Sequence, residues 1–242
     1  MGARSLVWQS LLAAAAFALL LTLGVWQLRR LEWKESLISH IETRTTAAPT
    51  DPPLVGEWPR LRGEDYDYRH VRAEGRFDLA KKTQVFAQAP AGDADREPGF
   101  FVLMPFELTN GGVVLVNRGF IAQSKTGAGA WRSSPAGTTT ITGWLRAPQS
   151  RNAFTPADDP GKGQWYTSDP LKIAAALGLV DPAPFVLQQE NPPGNEDGLF
   201  RTAPDVSEIP NNHLSYAVTW FGLAAALAII FAFYAKSRVS PP

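Results

Sequence analysis

The chain has 242 residues, 23 basic and 23 acidic side chains, three histidines and no cysteine. Balanced charge gives no general attraction to nucleic acid, and the absence of cysteine excludes thiol catalysis, zinc–thiolate sites, iron–sulfur clusters and disulfides. Apolar residues are concentrated at the two ends, so a membrane protein is the first class to consider.

Residues 6–28 form the first apolar run, which contains no charged side chain. About 20 apolar residues suffice for a helix to cross a hydrocarbon core, so this run predicts transmembrane helix 1. A cleaved signal peptide is the alternative, because Arg4 precedes the run. Trp26, Arg29 and Arg30 stand where a small-residue cleavage site would lie, which favours a retained span.

The first helix is predicted to continue out of the membrane as a helical extension over residues 29–44, which contain no Gly or Pro. Apolar side chains recur there at helical spacing, at Trp33, Leu37 and Ile41, as on a helix with one face packed on a domain. The Pro- and Thr-rich stretch that follows, residues 45–59, predicts a loop.

Residues 45–210 predict a β-rich domain. The strand-like segments are residues 68–79, 83–89, 100–121, 138–148, 163–168 and 184–190. Asn110 and Gly111 inside the third segment favour a hairpin turn. Residues 169–179 read as a helix, with a cap at Ser168 or Asp169 and Gly178 near its end. The expected domain is an antiparallel sheet with one α-helix, and the sequence leaves open whether the sheet closes into a barrel.

Residues 213–234 predict transmembrane helix 2, because no charge occurs between Leu214 and Tyr234. The fold class is therefore an α+β membrane protein with two transmembrane helices flanking the β-rich domain. The domain also lacks the motifs of hydrolases, metalloenzymes and phosphate-binding loops, so we expect no enzymatic reaction.

Two spans place both termini on the same side of the membrane. Arg4, Lys236 and Arg238 favour cytoplasmic termini, whereas Arg29 and Arg30 lie beyond the other end of the first span. Long connections translocate largely regardless of charge, so we expect the middle domain to be translocated.

Two terminal segments carry a family resemblance. Residues 23–38 (LGVWQLRRLEWKESLI) and residues 211–224 (NNHLSYAVTWFGLA) resemble the two signatures of the Surfeit-locus cytochrome c oxidase assembly family. Weaker matches between them are Gly75, Phe77, Pro105, residues 116–120, Gly143, Leu145 and Arg146. The sequence departs from the family at Phe120, where Trp is the commoner residue.

The resemblance implies a multi-pass protein of the bacterial inner (plasma) membrane, with both termini cytoplasmic and the domain periplasmic. It implies an assembly factor, not an enzyme, that assists haem a delivery or insertion into cytochrome c oxidase subunit one. Haem a would be held transiently, and the partners would be subunit one, haem a synthase, other oxidase subunits and membrane lipid, with no nucleic acid. The alternative is a haem-free assembly scaffold or a stably bound accessory subunit of the oxidase.

The resemblance also places a haem-ligating histidine at His213, which would be the metal ligand. His213 falls in the first turn of the second span, where the positive end of the helix dipole favours a neutral imidazole, as an iron ligand must be. Tyr216 and Trp220 follow at helical spacing and could pack against the macrocycle or anchor the helix at the interface.

The outer end of the first span supplies the remaining predicted site residues. Arg30 could steady a haem propionate or contact lipid headgroups. Trp26 and Gln27 are expected to pack or bond against the second span. Arg118, which follows an apolar strand, could make an ion pair within the domain or face the oxidase, and we favour the ion pair.

Overall fold

A computed structural model describes residues 3–90, 92–93, 96–127, 137–192, 197–204 and 211–239. The chain divides into two compact units, of which one comprises Met1–Ile41 with Val206–Pro242 and the other comprises Glu42–Asp205. The α-helices are α1 (Ala3–Thr46), α2 (Gly63–Tyr66), α3 (Pro170–Ala176) and α4 (His213–Val239). The strands are β1 (His70–Phe77), β2 (Thr83–Ala87), β3 (Gly99–Leu108), β4 (Val113–Ala122), β5 (Thr139–Arg146), β6 (Gln164–Trp165) and β7 (Pro182–Gln189).

The first unit is built from α1 and α4, and both helices are long and apolar enough to cross a membrane. α1 is one unbroken helix, so residues 29–44 continue the helix of the apolar run. No Pro occurs between Ala3 and Thr46, and the one Gly, Gly24, lies in a helix contact described below.

Side chains with reduced exposure recur on both long helices at alternating spacings of three and four residues. We call these rows the contact stripes. The stripe of α1 over the apolar run is Ser10, Ala13, Phe17, Leu20, Gly24 and Gln27. The stripe of α4 is His213, Ala217, Trp220, Ala224, Leu227, Phe231 and Tyr234. This spacing is that of a coiled-coil seam, and it lets small residues such as Ala217 and Ala224, each 1% exposed, bring two helices close together.

The second unit is a β-barrel. Its seven-stranded sheet has the order β1-β5-β7-β4-β3-β2-β6, and β1 also pairs with β3, which closes five strands on themselves. At Gly75, β1 changes its pairing partner from β5 to β3. Gly75 is paired both with Thr139 of β5 and with Leu108 of β3. A Cβ atom at Gly75 would lie 2.2 Å from the carbonyl oxygen of Glu107, so the closure requires glycine there.

The predicted fold class is confirmed, since two apolar helices flank in sequence a β-rich domain with an α-helix, and the sheet closes into a barrel. Two strand pairings differ from the expected antiparallel arrangement: β4–β7 and β2–β6 are parallel, and the other pairings are antiparallel. For the β4–β7 pair the physical reason is the long connection from β5 through α3, which brings β7 beside β4 in the same direction. α2, a single turn, was not predicted.

Two clusters of buried side chains hold the domain together. One fills the barrel and includes Val71, Phe106 and Phe185, and the rings of Tyr66 and Phe185 lie 5.3 Å apart. The other lies between the sheet and α3, where Ile173 is fully buried beside Trp165. The predicted helix ends are confirmed for α3, because Asp169 caps its first turn and the chain turns at Gly178.

The last turn of α1 belongs to this second unit and is bonded to the barrel. The Arg44 guanidinium donates to the carbonyl oxygens of Glu64 and Asp67 at 2.8 and 2.9 Å. The indole N–H of Trp144 donates to the carbonyl of Thr45 at 3.0 Å. These bonds satisfy terminal helix carbonyls and hold residues 44 and 45 on the domain.

Candidate functional site

His213 and Gln27 form the central contact of the candidate site. His213 is the first residue of α4, and its Nδ1 lies 2.7 Å from Oε1 of Gln27 on α1. Gln27 is only 8% exposed, so its amide is held inside the contact between the helices. A polar side chain in a membrane helix is stabilised when it finds a partner on the neighbouring helix, which explains why both residues lie in the contact stripes.

The two helices run antiparallel, as a second bond shows. Gln9 near the start of α1 pairs with Tyr234 near the end of α4, whereas Gln27 pairs with His213. Between these bonds, a Cβ atom at Gly24 would lie 2.7 Å from the ring of Phe221, so the helices approach closely there.

Trp26 and Arg30 lie on one flank of the α1 stripe, by the periodicity of the helix around Gln27. Trp26 is 52% exposed. The Arg30 guanidinium carbon lies 4.5 Å from the centroid of the Trp33 ring, so a cation–π contact positions this exposed charge. Of the two residues expected to pack or bond against the second span, Gln27 therefore does so, and Trp26 stands beside the contact.

Tyr216 and Trp220 lie on the corresponding part of α4. Trp220 belongs to the contact stripe with His213 and is half-buried, whereas Tyr216 is displaced to the flank and is 55% exposed. Tyr216 precedes the stripe residue Ala217 as Trp26 precedes the stripe residue Gln27. In an antiparallel helix pair, two residues that each precede a stripe residue by one position lie on the same side of the pair.

The structure thus brings His213 to Gln27 at one end of the helix pair, with Trp220 two turns along the same stripe. Helical periodicity puts Trp26, Arg30 and Tyr216 on one flank of the pair. The sequence reasoning missed the contacts Gln9–Tyr234 and Gly24–Phe221. A signal for the first was present, because a polar side chain in an otherwise apolar span needs a partner.

Arg118 belongs to a separate buried cluster in the domain. Its Nη2 donates to Oδ2 of Asp197 at 2.9 Å, and Arg201 donates to the same carboxylate at 3.0 Å. Burial lowers the pKa of the Arg118 guanidinium, Asp197 raises it, and Arg201 lowers it further. The predicted ion pair within the domain is present, and its role is to join β4 to the segment after β7.

The described residues contain no group of three or more acidic or histidine side chains that could hold a metal ion.

Two apolar helices with a β-barrel domain inserted between them in sequence are the architecture of a membrane-anchored domain protein. The SURF1 family model matches residues 14–225. The chain therefore belongs to the SURF1 family, the oxidase assembly-factor family that its terminal segments resemble.

Curated relatives agree with this membership. Surfeit locus protein 1 of Rattus norvegicus is 32% identical over 224 residues, which cover 86% of this chain and 70% of that protein. The Homo sapiens protein of the same name is 30% identical, with 86% and 71% covered. A SURF1-like protein of Rickettsia bellii is 25% identical, with 91% and 88% covered.

Proposed function

We propose that this chain is a cytochrome c oxidase assembly factor that assists haem a delivery or insertion into oxidase subunit one. The observation that carries the proposal is the 2.7 Å contact between His213 and Gln27, which holds one imidazole nitrogen at the end of a membrane helix pair. The other ring nitrogen, Nε2, has no hydrogen-bond partner among the described residues.

The residues present fit haem a as a cargo. A porphyrin supplies the equatorial ligands of its iron, so a single imidazole from the protein is enough to hold it. His213 would be the iron ligand. Trp26 and Tyr216 on the flank and Trp220 in the stripe would offer aromatic surface for the macrocycle, and Arg30 would offer a guanidinium for a propionate.

The exposure of this flank suits a carrier. Trp26 and Tyr216 are each about half exposed, so a cofactor bound there would remain open to the bilayer and to a neighbouring protein. Weak ligation by one histidine would permit release. Subunit one would receive the haem, haem a synthase would supply it, and other oxidase subunits and membrane lipid would surround the complex.

We place the protein in the bacterial inner membrane, with both termini cytoplasmic and the domain periplasmic. The cysteine-free chain allows a direct test with single engineered cysteines. Ser124 in the domain and Ser237 near the end of α4 are both exposed. A membrane-impermeant maleimide should label Ser124→Cys but not Ser237→Cys in cells with a permeabilised outer membrane, and the reverse pattern would refute the orientation.

The function is tested by purifying the protein from cells that make haem a. The proposal predicts a haem a absorption spectrum that is lost in His213→Ala. His40→Ala is the matched control, because His40 is an exposed histidine of α1, and its spectrum should equal that of the wild type.

A haem-free scaffold or accessory subunit is the second candidate, favoured by the same half-exposed flank, which could instead contact oxidase subunits directly. It predicts a colourless protein. Trp26→Ala or Trp220→Ala would then impair oxidase assembly, whereas His213→Ala would have little effect.

A further inference from the structure

We infer that Gln27 is a positioning residue that sets the tautomer of His213 and leaves Nε2 as the nitrogen that binds iron. The inference rests on the proposed function for the identity of the ligand. It goes beyond that function by assigning a role to a residue of the first helix and by naming the ligating atom.

The contact with Gln27 determines which nitrogen of His213 carries the proton. Oε1 of Gln27 is an amide carbonyl oxygen and can only accept a hydrogen bond, so Nδ1 of His213 must donate in the 2.7 Å contact. A neutral imidazole carries one N–H group. The lone pair available to a metal is therefore on Nε2.

Burial of Gln27 stabilises this hydrogen bond. Gln27 is 8% exposed and lies in the α1 stripe one turn from Gly24, where the Phe221 ring closes the helix contact. Breaking the bond would leave a buried amide without its partner, which is unfavourable in an apolar environment. The ring of His213 is thus oriented by a helix other than its own.

The acceptor on Gln27 would strengthen metal binding by His213. Histidine ligands usually donate their second N–H to a fixed acceptor, which orients the ring and makes the ligating nitrogen more basic. Loss of such an acceptor typically costs about 10–100-fold in metal affinity. Gln27 has the position and the chemistry of that acceptor.

The tautomer is measured in the full-length protein without haem, by ¹⁵N NMR of histidine-labelled protein in detergent. The chain has only three histidines, so the His213 signals are identified by their absence in His213→Ala. We expect protonated Nδ1 and unprotonated Nε2 in the wild type, and a shift toward protonated Nε2 in Gln27→Leu. A wild type with protonated Nε2, or an unchanged tautomer in Gln27→Leu, would overturn the inference.

The role in binding is measured by haem a titration and by the reduction potential of the bound haem. Gln27→Leu should weaken binding about 10–100-fold, and Gln27→Glu, a stronger acceptor, should retain binding and lower the potential. Gln9→Leu is the matched control, because it removes the other interhelical glutamine and should leave the tautomer and the affinity unchanged.

The two proposals fail differently. Haem bound with equal affinity by the wild type and Gln27→Leu, but not by His213→Ala, would retain the proposed function and overturn the inference. A wild type that binds no haem a would overturn the proposed function, and with it the assignment of Nε2 to iron.

Discussion

The phenolic oxygen of Tyr234 lies 2.7 Å from Oε1 of Gln9, so a hydrogen bond joins α1 and α4 far from the His213–Gln27 contact. Each bond pairs a polar side chain of one apolar helix with a polar side chain of the other. Together they set the register of the helix pair, because sliding either helix by one turn would separate both pairs of atoms.

Removal of the Tyr234 hydroxyl should weaken the helix pair. Hydrogen bonds between membrane helices contribute about 0.6 kcal/mol on average, so Tyr234→Phe should lower the free energy of unfolding by roughly that amount. The measurement is denaturant unfolding of the full-length protein in detergent. Tyr216→Phe removes a hydroxyl from an exposed ring of the same helix and should have no effect. Equal decreases in the free energy of unfolding of the two variants would show that the Tyr234–Gln9 hydrogen bond does not stabilise the helix pair.

Gly24 should not tolerate a large side chain. A Cβ atom there would lie 2.7 Å from the Phe221 ring, so Gly24→Leu must displace the ring or separate the helices. Overpacking typically costs about 1–3 kcal/mol, and a lower melting temperature in detergent would report it.

Gly222→Leu is the matched control for that change. Gly222 lies on α4, and a Cβ atom at this position meets nothing within 4 Å. The control should melt at or near the temperature of the wild type. A Gly24→Leu protein as stable as this control would show that the close approach of the helices is not required.

Local sequence patterns predicted most of the helices and strands. The closure of the sheet into a barrel could not be predicted, because it depends on pairing between strands that are far apart in sequence. The β3–β4 hairpin was visible because Asn110 and Gly111 separate two apolar strands. Closure of the barrel was not visible, since it depends on Gly75 facing two partner strands that lie far from it in sequence. In the sequence this glycine could equally indicate a turn or a bulge.

In the candidate site, too, local patterns predicted the positions of residues on one helix but not the contacts between helices. Helical spacing correctly placed His213 and Trp220 on one face of α4, and Tyr216 proved to lie on its flank. No partner was assigned to His213 from the sequence, but Gln27 was one of two residues of the first span that were expected to contact the second span. The atoms that meet, Nδ1 and Oε1, depend on helix register and rotation, which no local pattern encodes.

Asp197 should be essential for the stability of the domain. It is shared by Arg118 and Arg201, whose side chains are 5% and 1% exposed, so Asp197→Asn would remove a negative charge that two buried guanidiniums contact. Removing one partner of a buried ion pair typically costs about 3–5 kcal/mol, measurable by denaturant unfolding.

Glu107→Gln provides the comparison for that prediction. Glu107 pairs with Arg76 at 3.0 Å, but the two side chains are 50% and 65% exposed. An exposed pair of this kind contributes about 0–1 kcal/mol. If Asp197→Asn and Glu107→Gln destabilised the protein equally, the prediction that Asp197 is essential for the stability of the domain would be wrong.

Tyr66 should make the domain sensitive to alkaline pH. It is 3% exposed, and its hydroxyl donates to the carbonyl of Pro184 at 3.1 Å. Burial raises the pKa of Tyr66 above its ordinary value, with smaller contributions from the negative charges of Asp67 and Asp65. Because the folded state favours the protonated phenol, this stabilisation is complete below the unfolded pKa of about 10 and is lost as the pH rises through the folded pKa.

Tyr66→Phe should therefore reduce the loss of stability above about pH 10, while costing about 1 kcal/mol near neutral pH through the lost hydrogen bond. The measurement is the free energy of unfolding of the full-length protein from pH 7 upward. Phe185→Leu disturbs the same aromatic contact, in which the ring centroids lie 5.3 Å apart, without removing an ionisable group. That variant should be destabilised at neutral pH, but its free energy of unfolding should fall with rising alkaline pH as steeply as that of the wild type. A less steep fall in Phe185→Leu would mean that packing, not ionisation of Tyr66, causes the alkaline sensitivity.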